Sequence, residues 1–234
     1  MADRDKLKQA AAEAAMAFLP ARGIVGLGTG STARHAIRLM AARIAGEGAG
    51  WVGVATSRAS GQAAAKAGIP LLDDEGPWEI AVTFDGADEV SPALDLIKGG
   101  GGALLREKIV NAASTLNVIM VDDAKLSDEL GQRCRLPVEI ARFGWAQTRR
   151  AVEAVAGPSL LREQDGAPFL TDNGNYILDV ATGPIADPRA LEAALELLPG
   201  VVITGLFVGR THVLVVASPG RVEIRHTKGG VEIK

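Results

Sequence analysis

The chain has 234 residues, of which 47% are hydrophobic and 23% charged, with a formal net charge of −3. That composition supports one large domain, or a medium domain plus a smaller one, and excludes a disordered chain. No basic stripe stands out, which argues against nucleic acid as the main partner.

The N-terminus "MADRDKLKQAAAEAAMAFL" mixes acids with its bases and lacks the apolar run of a signal peptide. Leu7, Ala11, Ala14 and Phe18 recur at helical spacing, and Pro20 and Gly23 end that helix. Ile24–Leu27 reads as a short buried strand. Ser31 then reads as the N-cap of a helix whose apolar face is Ala33, Ile37, Met40 and Ile44. "WVGVAT" is a strand, Arg58 to Ala67 a helix, and "IPLL" and Ile80–Phe84 further strands. A helix from about Ala103 to Ser114 leads to the strand "NVIMV". No apolar run reaches the ~20 residues that a membrane span needs.

Short apolar strands alternating with helices imply right-handed βαβ units and a Rossmann-like, doubly wound, mostly parallel α/β sheet. Such sheets bind ligands at the C-terminal ends of their strands. The segments following the strands are "GTGST", "TSRAS", "DGADE" and "DDAK", all polar or glycine-rich, and they would share one rim.

After about Gly131 the pattern changes. "RLPVEIARF" reads as a strand and "GWAQTRRAVEAVAG" as a helix. "PFLTDNGNYILDV" reads as two strands around an Asp172-Asn173-Gly174 turn. "DPRALEAALELL" is a helix with Asp187 as N-cap and Pro188 in its first turn. This run predicts a small α+β domain over 131–205, inserted in a larger domain made of 1–130 and 206–234. "VVITGLFV" and "HVLVVAS" would return to the first sheet, and the tail would add a last strand or an edge hairpin.

Three segments carry candidate chemistry. "GLGTGSTA" (Gly26 to Ala33) joins a strand to a helix, where main-chain N–H groups and the hydroxyls of Thr29, Ser31 and Thr32 can meet an anion. The same segment is also compatible with a plain tight turn. A dinucleotide fingerprint would want an acid at the end of the next strand, where Thr56, Ser57 and Arg58 stand instead. A smaller phosphate ligand therefore fits better, although Arg58 keeps a phosphorylated dinucleotide, and hence an NADP-dependent reductase, in view. "DGADEV" brings three acids together at a strand end, where Asp85 and Asp88 can hold sugar hydroxyls or move protons. The spacing of a calcium loop is missing there.

"KGGGGALLREKIV" places Lys98 before four glycines and Glu107 in the following helix. Four glycines cost conformational entropy, and they make sense where main chain must approach a ligand and present N–H groups to it. Glu107 can lean back towards that loop. It can equally be a solvated helix residue paired with Arg106, Lys108 or Asn111. His35, His212 and His226 are scattered, without metal-ligand spacing. The lone Cys134 precludes an intrachain disulfide and fits a reducing cytoplasm. Its flanking arginines could lower its pKa, but a chance thiol near a domain junction is the plainer reading.

Taken in order, "GLGTGSTA", "TS", "DGADE", "KGGGGALLREK", "DDAK", "LPVE" and "TDNGNYILD" closely resemble type A ribose-5-phosphate isomerases from Leu7 to about Val216. The resemblance implies the metal-free, cofactor-free interconversion of ribose 5-phosphate and ribulose 5-phosphate in the pentose phosphate pathway, by a homodimer or sometimes a larger assembly; the composition and apolar pattern above add a cytoplasmic location and no nucleic-acid or membrane partner. It implies that the catalytic base is Glu107 and that Asp85 and Asp88 are the site acids, with Gly86 and Ala87 between them. It places the sugar-binding lysine and glycines at Lys98, Gly99, Gly100 and Gly101. Thr29, Gly30, Ser31 and Thr32, with Lys125 and Lys8, are the implied phosphate-binding set. A regulatory sugar-phosphate-binding module without turnover is the alternative, against which the presence of Glu107, Asp85 and Lys98 speaks. Ser60 and Phe84 depart from residues common in relatives, and neither touches this chemistry.

Overall fold

The computed structural model describes residues 2–48, 50–227 and 230–233. Along the chain it forms α1 (Ala2–Ala15), β1 (Gly23–Leu27), α2 (Ser31–Glu47), β2 (Trp51–Ala55), α3 (Arg58–Lys66) and β3 (Ile80–Asp85). Two short strands, β4 (Glu89–Val90) and β5 (Leu96–Ile97), precede α4 (Leu104–Ala112) and β6 (Ser114–Asp122). Next come β7 (Leu136–Ile140), α5 (Trp145–Ala156), β8 (Ser159–Leu161), β9 (Glu163–Gln164), β10 (Ala167–Pro168) and β11 (Tyr176–Val180). The chain ends with α6 (Pro188–Glu196), β12 (Val201–Thr204), β13 (Leu206–Phe207), β14 (Val213–Ser218), β15 (Arg221–His226) and β16 (Val231–Ile233).

The chain divides into two compact units. The first comprises 1–86, 106–125 and 210–234, and the second 87–105 and 126–209. In the first unit the strands run β16-β15-β14-β6-β3-β1-β2. β2, β1, β3, β6 and β14 are parallel, whereas β15 and β16 continue antiparallel. β1 is followed by a neighbour on one side (β2) and then by one on the other (β3). The winding therefore reverses between β1 and β3, the crevice where open parallel sheets take their ligands. Val25, Leu27, Ile37, Met40, Phe84, Met120 and Val215 belong to the core beneath.

In the second unit the sheet β12-β7-β11-β8 is covered by α5 and α6 around Leu136, Val138, Ile140, Val152, Leu178 and Leu195. A separate three-stranded ribbon, β13-β5-β4, belongs to the same unit. The mixed α/β architecture agrees with the sequence reading. As expected, Asp187 caps α6 by accepting from the amide of Ala190 at 2.9 Å.

Local expectations are corrected in four places. "IPLL" contributes only a single bridge, Leu71 to Gly53. Pro70 has no N–H to give a ladder, and Leu71 and Leu72 are exposed at the sheet edge. The N-cap of α2 is Gly30 at φ 106°, not Ser31, which is the first helical residue. Asp172-Asn173-Gly174 forms a turn but not a two-stranded hairpin, because β11 pairs with β7 and β8. Thr171 (Oγ1), Asn173 (Nδ2) and Asn175 (Nδ2) instead donate to Oε1 of the fully buried Glu139. Finally, "VVIT" joins the small sheet and Leu206–Phe207 the ribbon, so only Val213–Ser218 of that region enters the large sheet. Gly205 is the branch point, donating to the Pro137 carbonyl at 2.7 Å and accepting from the Lys98 amide at 2.9 Å.

A second buried acid, Glu89, organises the 131–134 loop. It accepts from the amides of Gly131, Gln132 and Arg133 at 3.0–3.2 Å and from the Cys134 thiol at 3.2 Å. Burial pushes its carboxyl up, but the neighbouring Ser127 hydroxyl, the Cys134 thiol and the loop amides outweigh burial and leave it below the ordinary 4.5. A carboxyl depressed on folding stabilises above its unfolded pKa and loses that contribution as pH falls through the folded value. Glu89→Gln should therefore cost about 2 kcal/mol at neutral pH, as expected for losing charge-assisted bonds. In urea titrations from pH 7 to pH 3, the gap from wild type should narrow below pH 4.5, and a gap independent of pH would contradict this account.

Candidate functional site

The first unit presents a rim at the C-terminal ends of β1, β2, β3 and β6. Leu27 is in register with Ala55 and with Phe84, and Asp85 with Ile119. Asp85 is buried at the end of β3. Its Oδ1 accepts from the amides of Thr29 (3.1 Å) and Gly86 (2.8 Å), so two peptide groups take the place of water on this carboxylate. The approach requires Gly28. A Cβ there would lie 2.2 Å from Asp85 Oδ1 and 2.6 Å from the Phe84 carbonyl oxygen.

Behind this contact is a small hydroxyl cluster. Thr29 Oγ1 lies within 2.8–3.0 Å of Thr56 Oγ1, Ser57 Oγ and Ser60 Oγ. Ser57 also caps α3 by accepting from the Ser60 amide at 3.0 Å. The loops after β1 and β2 are thus joined by hydroxyls. Ser60 fills a place in that cluster, so its departure from the common residue keeps a polar contact.

Thr32 is buried beside Gly86, and Ser31 is exposed at the start of α2. Lys125 closes the single 3-10 turn that follows β6, and Lys8 lies in α1; both are half-buried. Among the described residues, no hydrogen bond or ion pair joins Lys8 or Lys125 to the other candidates.

Glu107 stands in the first turn of α4 and is only 4% exposed. That excludes the reading of it as a solvated helix residue. The unsatisfied N–H groups of a helix start favour a carboxylate there. The neighbouring Arg106 pairs with Asp74 at 2.9 Å.

In the second unit, Asp88 and Lys98 flank the β4–β5 pair. Glu89 opposes Ile97, and the Asp88 amide donates to the Ile97 carbonyl at 2.8 Å, so the register puts Asp88 opposite Lys98. Lys98 is 3% exposed, and its Nζ lies 5.5 Å from the Phe207 ring centroid. That is within cation–π range, which lessens the cost of burying an ammonium. Asp88 Oδ2 accepts from the Gly100 amide at 2.7 Å.

The glycine run is now accounted for physically. Gly99 (φ 105°) and Gly102 (φ 78°) adopt backbone that side-chain-bearing residues rarely take. A Cβ on Gly100 would press on Asp88 at 2.8 Å, and one on Gly102 would enter the Phe169 ring at 2.5 Å. Motif reading did not find Phe207, Gly205 or Arg162. Arg162 donates to the carbonyls of Gly99 and Gly100. It lies between β8 and β9, in a stretch to which the sequence reading gave no motif.

The histidines are structural. His35 lies between Asp5 and Arg38, and His212 Nδ1 accepts from the Asn117 amide. Among the described residues, no group of three or more His, Cys, Asp or Glu could hold a metal ion, and no helix is long and apolar enough to cross a membrane.

Comparison with known proteins converges on one family. The family model described as "Ribose 5-phosphate isomerase A (phosphoriboisomerase A)" matches residues 52–221. Ribose-5-phosphate isomerase A of Gloeobacter violaceus is 48% identical over 95% of this chain and 96% of its own. A solved D-ribose-5-phosphate isomerase in complex with phospho-erythronic acid is similar with a TM-score of 0.92, at 33% identity over 95% of this chain and 99% of its own. Ribose 5-phosphate isomerase A of Methanocaldococcus jannaschii gives 0.90 at 35% identity, over 94% and 98%.

The Gly28 contact yields a sharp expectation. Gly28→Ala forces the Asp85 carboxylate from its two amides, and overpacking of this kind typically costs about 1–3 kcal/mol. The variant should melt lower and lose most activity. Gly46→Ala, whose added methyl meets nothing within 4 Å on an ordinary helix, should keep both. Equal melting temperatures for the two variants would refute the close approach at Gly28.

Proposed function

The chain belongs to the ribose 5-phosphate isomerase A family, and from that premise we propose how its own residues perform the reaction. The enzyme interconverts ribose 5-phosphate and ribulose 5-phosphate. Aldose–ketose isomerisation moves one proton between C2 and C1 through an enediolate. It needs one group that takes and returns the proton, donors for the oxygen on which charge develops, and anchors for the phosphate.

Glu107 is the base in this reading. The observation that carries it is the burial of a carboxylate and an ammonium, Glu107 and Lys98, in segments bordering the glycine loop. Charged side chains are almost never fully buried without paired or functional reason. A glutamate in water, near pKa ~4.3, is a weak base, and partial desolvation strengthens it. Glu107 takes the C2 proton of the open-chain aldose and returns it to C1, while the O2 hydroxyl proton passes to O1, so that C2 becomes the carbonyl and C1 the alcohol. Lys98 and loop N–H groups stabilise the enediolate oxygen. Asp85 assists ring opening, and Asp88 holds sugar hydroxyls. The N–H groups and hydroxyls of Thr29, Gly30, Ser31 and Thr32, with Lys8 and Lys125, hold the phosphate. Gly86 and Ala87 shape the turn between the two acids.

The scheme uses no metal or organic cofactor: Lys98 and the loop N–H groups meet the developing charge. The assembly proposed is a cytoplasmic homodimer acting in the pentose phosphate pathway. Sedimentation velocity tests the subunit number: a species of one subunit mass at micromolar concentration would overturn the dimer.

A coupled assay on ribose 5-phosphate tests the base. Glu107→Gln should lower kcat by about 10²–10⁴-fold, the range for losing a positioned general base. KM should change little, and a chelator should leave the wild-type rate unaltered. Lys98→Met should cut kcat by about 10²–10³-fold, as for an oxyanion donor. Turnover surviving Glu107→Gln would remove Glu107 as base, and no turnover in the wild type would favour a sugar-phosphate-binding module.

A further inference from the structure

Arg162 lies outside every motif that carries the proposed chemistry, yet it is bonded to the glycine loop. Its Nη1 donates to the Gly99 carbonyl at 2.8 Å and to the Gly100 carbonyl at 3.3 Å. Its Nε donates to Asp179 Oδ2 at 2.9 Å, and its Nη2 donates to Asp179 Oδ1. The guanidinium also lies 5.9 Å from the centroid of the Phe169 ring. Phe169 is the ring that an added Cβ on Gly102 would strike.

The backbone around Arg162 is itself held in place. The Arg162 amide donates to the Ile177 carbonyl and its carbonyl accepts from the Phe169 amide, both at 2.8 Å. Asp179 belongs to β11, which is paired on both sides, with Pro137 and with Leu160. The cation therefore stands on a rigid sheet and reaches a loop that has no side chains of its own to hold it.

What this does to the loop follows from peptide geometry. In a planar trans peptide, C=O and N–H point in opposite directions. The peptide between Gly99 and Gly100 turns its carbonyl to Arg162, and its N–H goes the other way, to Asp88 Oδ2 at 2.7 Å. The next peptide also turns its carbonyl to Arg162, which sends the Gly101 N–H away from the arginine. One guanidinium thus aligns two consecutive peptide dipoles. Glycines have the least resistance of any residue to a peptide flip, so without a clamp this alignment would be lost easily. Preorganised donors of this kind act on developing charge because they need no rearrangement at the moment of reaction.

We propose that Arg162, held by Asp179, is a positioning residue of the isomerase: it locks the peptides of the Gly99–Gly101 loop so that their N–H groups face Asp88 and the enediolate. The inference rests on the reading of that loop as the donor of N–H groups to the intermediate. It does not depend on which residue is the base.

The test compares wild type with Arg162→Gln, Arg162→Lys, Asp179→Asn and Glu107→Gln. The readouts are kcat and KM on ribose 5-phosphate, calorimetric affinity for phospho-erythronic acid and the melting temperature. Phospho-erythronic acid presents a carboxylate at one end and a phosphate at the other, so it reports on loop donors to an anionic oxygen.

Arg162→Gln should lower kcat by about 10²-fold, the scale of an oxyanion donor, with KM within about threefold. Its affinity for phospho-erythronic acid should fall by about tenfold. Arg162→Lys and Asp179→Asn should fall in between, because an ammonium keeps the charge without the fork and Asn keeps part of the anchoring. If Arg162→Gln folds poorly, the lysine variant alone carries the test. An Arg162→Lys variant with wild-type kcat and wild-type affinity for the acid overturns the proposal. So does a loss of rate that vanishes once folded fraction is corrected for. Full turnover in Glu107→Gln would dismiss the base assignment while leaving the effect of Arg162 on the acid's affinity to be read independently.

Discussion

Asp85, Asp88 and Glu89 are held by peptide N–H groups, and much of the architecture around them follows from that. Asp85 takes two amides, Asp88 one and Glu89 three. An ionised acid removed from water is costly unless hydrogen bonds replace its solvent. Backbone amides can replace that solvent only where the chain comes very close, and a Cβ would often block the approach. Gly28 beside Asp85 and Gly100 beside Asp88 are two instances of the same requirement. The glycine-rich segments are therefore the counterparts of the acids, and neither makes structural sense without the other.

The same logic assigns different tasks to the two units. In the first, the reversal of winding between β1 and β3 brings the Thr29 loop and the Asp85 turn together at one point of the rim. In the second, a ribbon of three short strands presents Asp88 and Lys98 from opposed positions. Gly205 allows that ribbon to branch from the small sheet, since a Cβ there would lie 2.4 Å from the Lys98 carbonyl oxygen. Stability and chemistry are thus coupled through backbone contacts. Glu89 shows this most plainly, because the acid that secures the 131–134 loop is the immediate neighbour of Asp88.

Much of the fold was legible in the residue pattern. Helical apolar spacing marked α1 and α2, short apolar runs marked β1, β2, β3 and β6, the Asp187–Pro188 cap marked α6, and the polar ends of the strands marked the rim. The misreadings share a cause. "IPLL" has the composition of a strand but little of its pairing, because Pro70 cannot donate and the segment lies at an edge. The Asp172-Asn173-Gly174 turn has the signature of a hairpin, but its polar residues serve the buried Glu139. Val201–Thr204 is apolar enough for either sheet, and only the partner strand decides between them.

The site divides along the same line. By itself the sequence determined which acids, lysines and glycines are available and in what order, because the chemistry lies in contiguous motifs that local spacing displays. It also determined the alternation of strands and helices that sets those motifs at strand ends. The tertiary structure alone decided that Glu107 is buried rather than solvated, that Lys98 has an aromatic face beneath it, and that Arg162 reaches across 63 residues to the Gly99 carbonyl. Burial and long-range hydrogen bonds depend on which strands pair, and pairing is a cooperative property of the folded chain that no local window of residues contains.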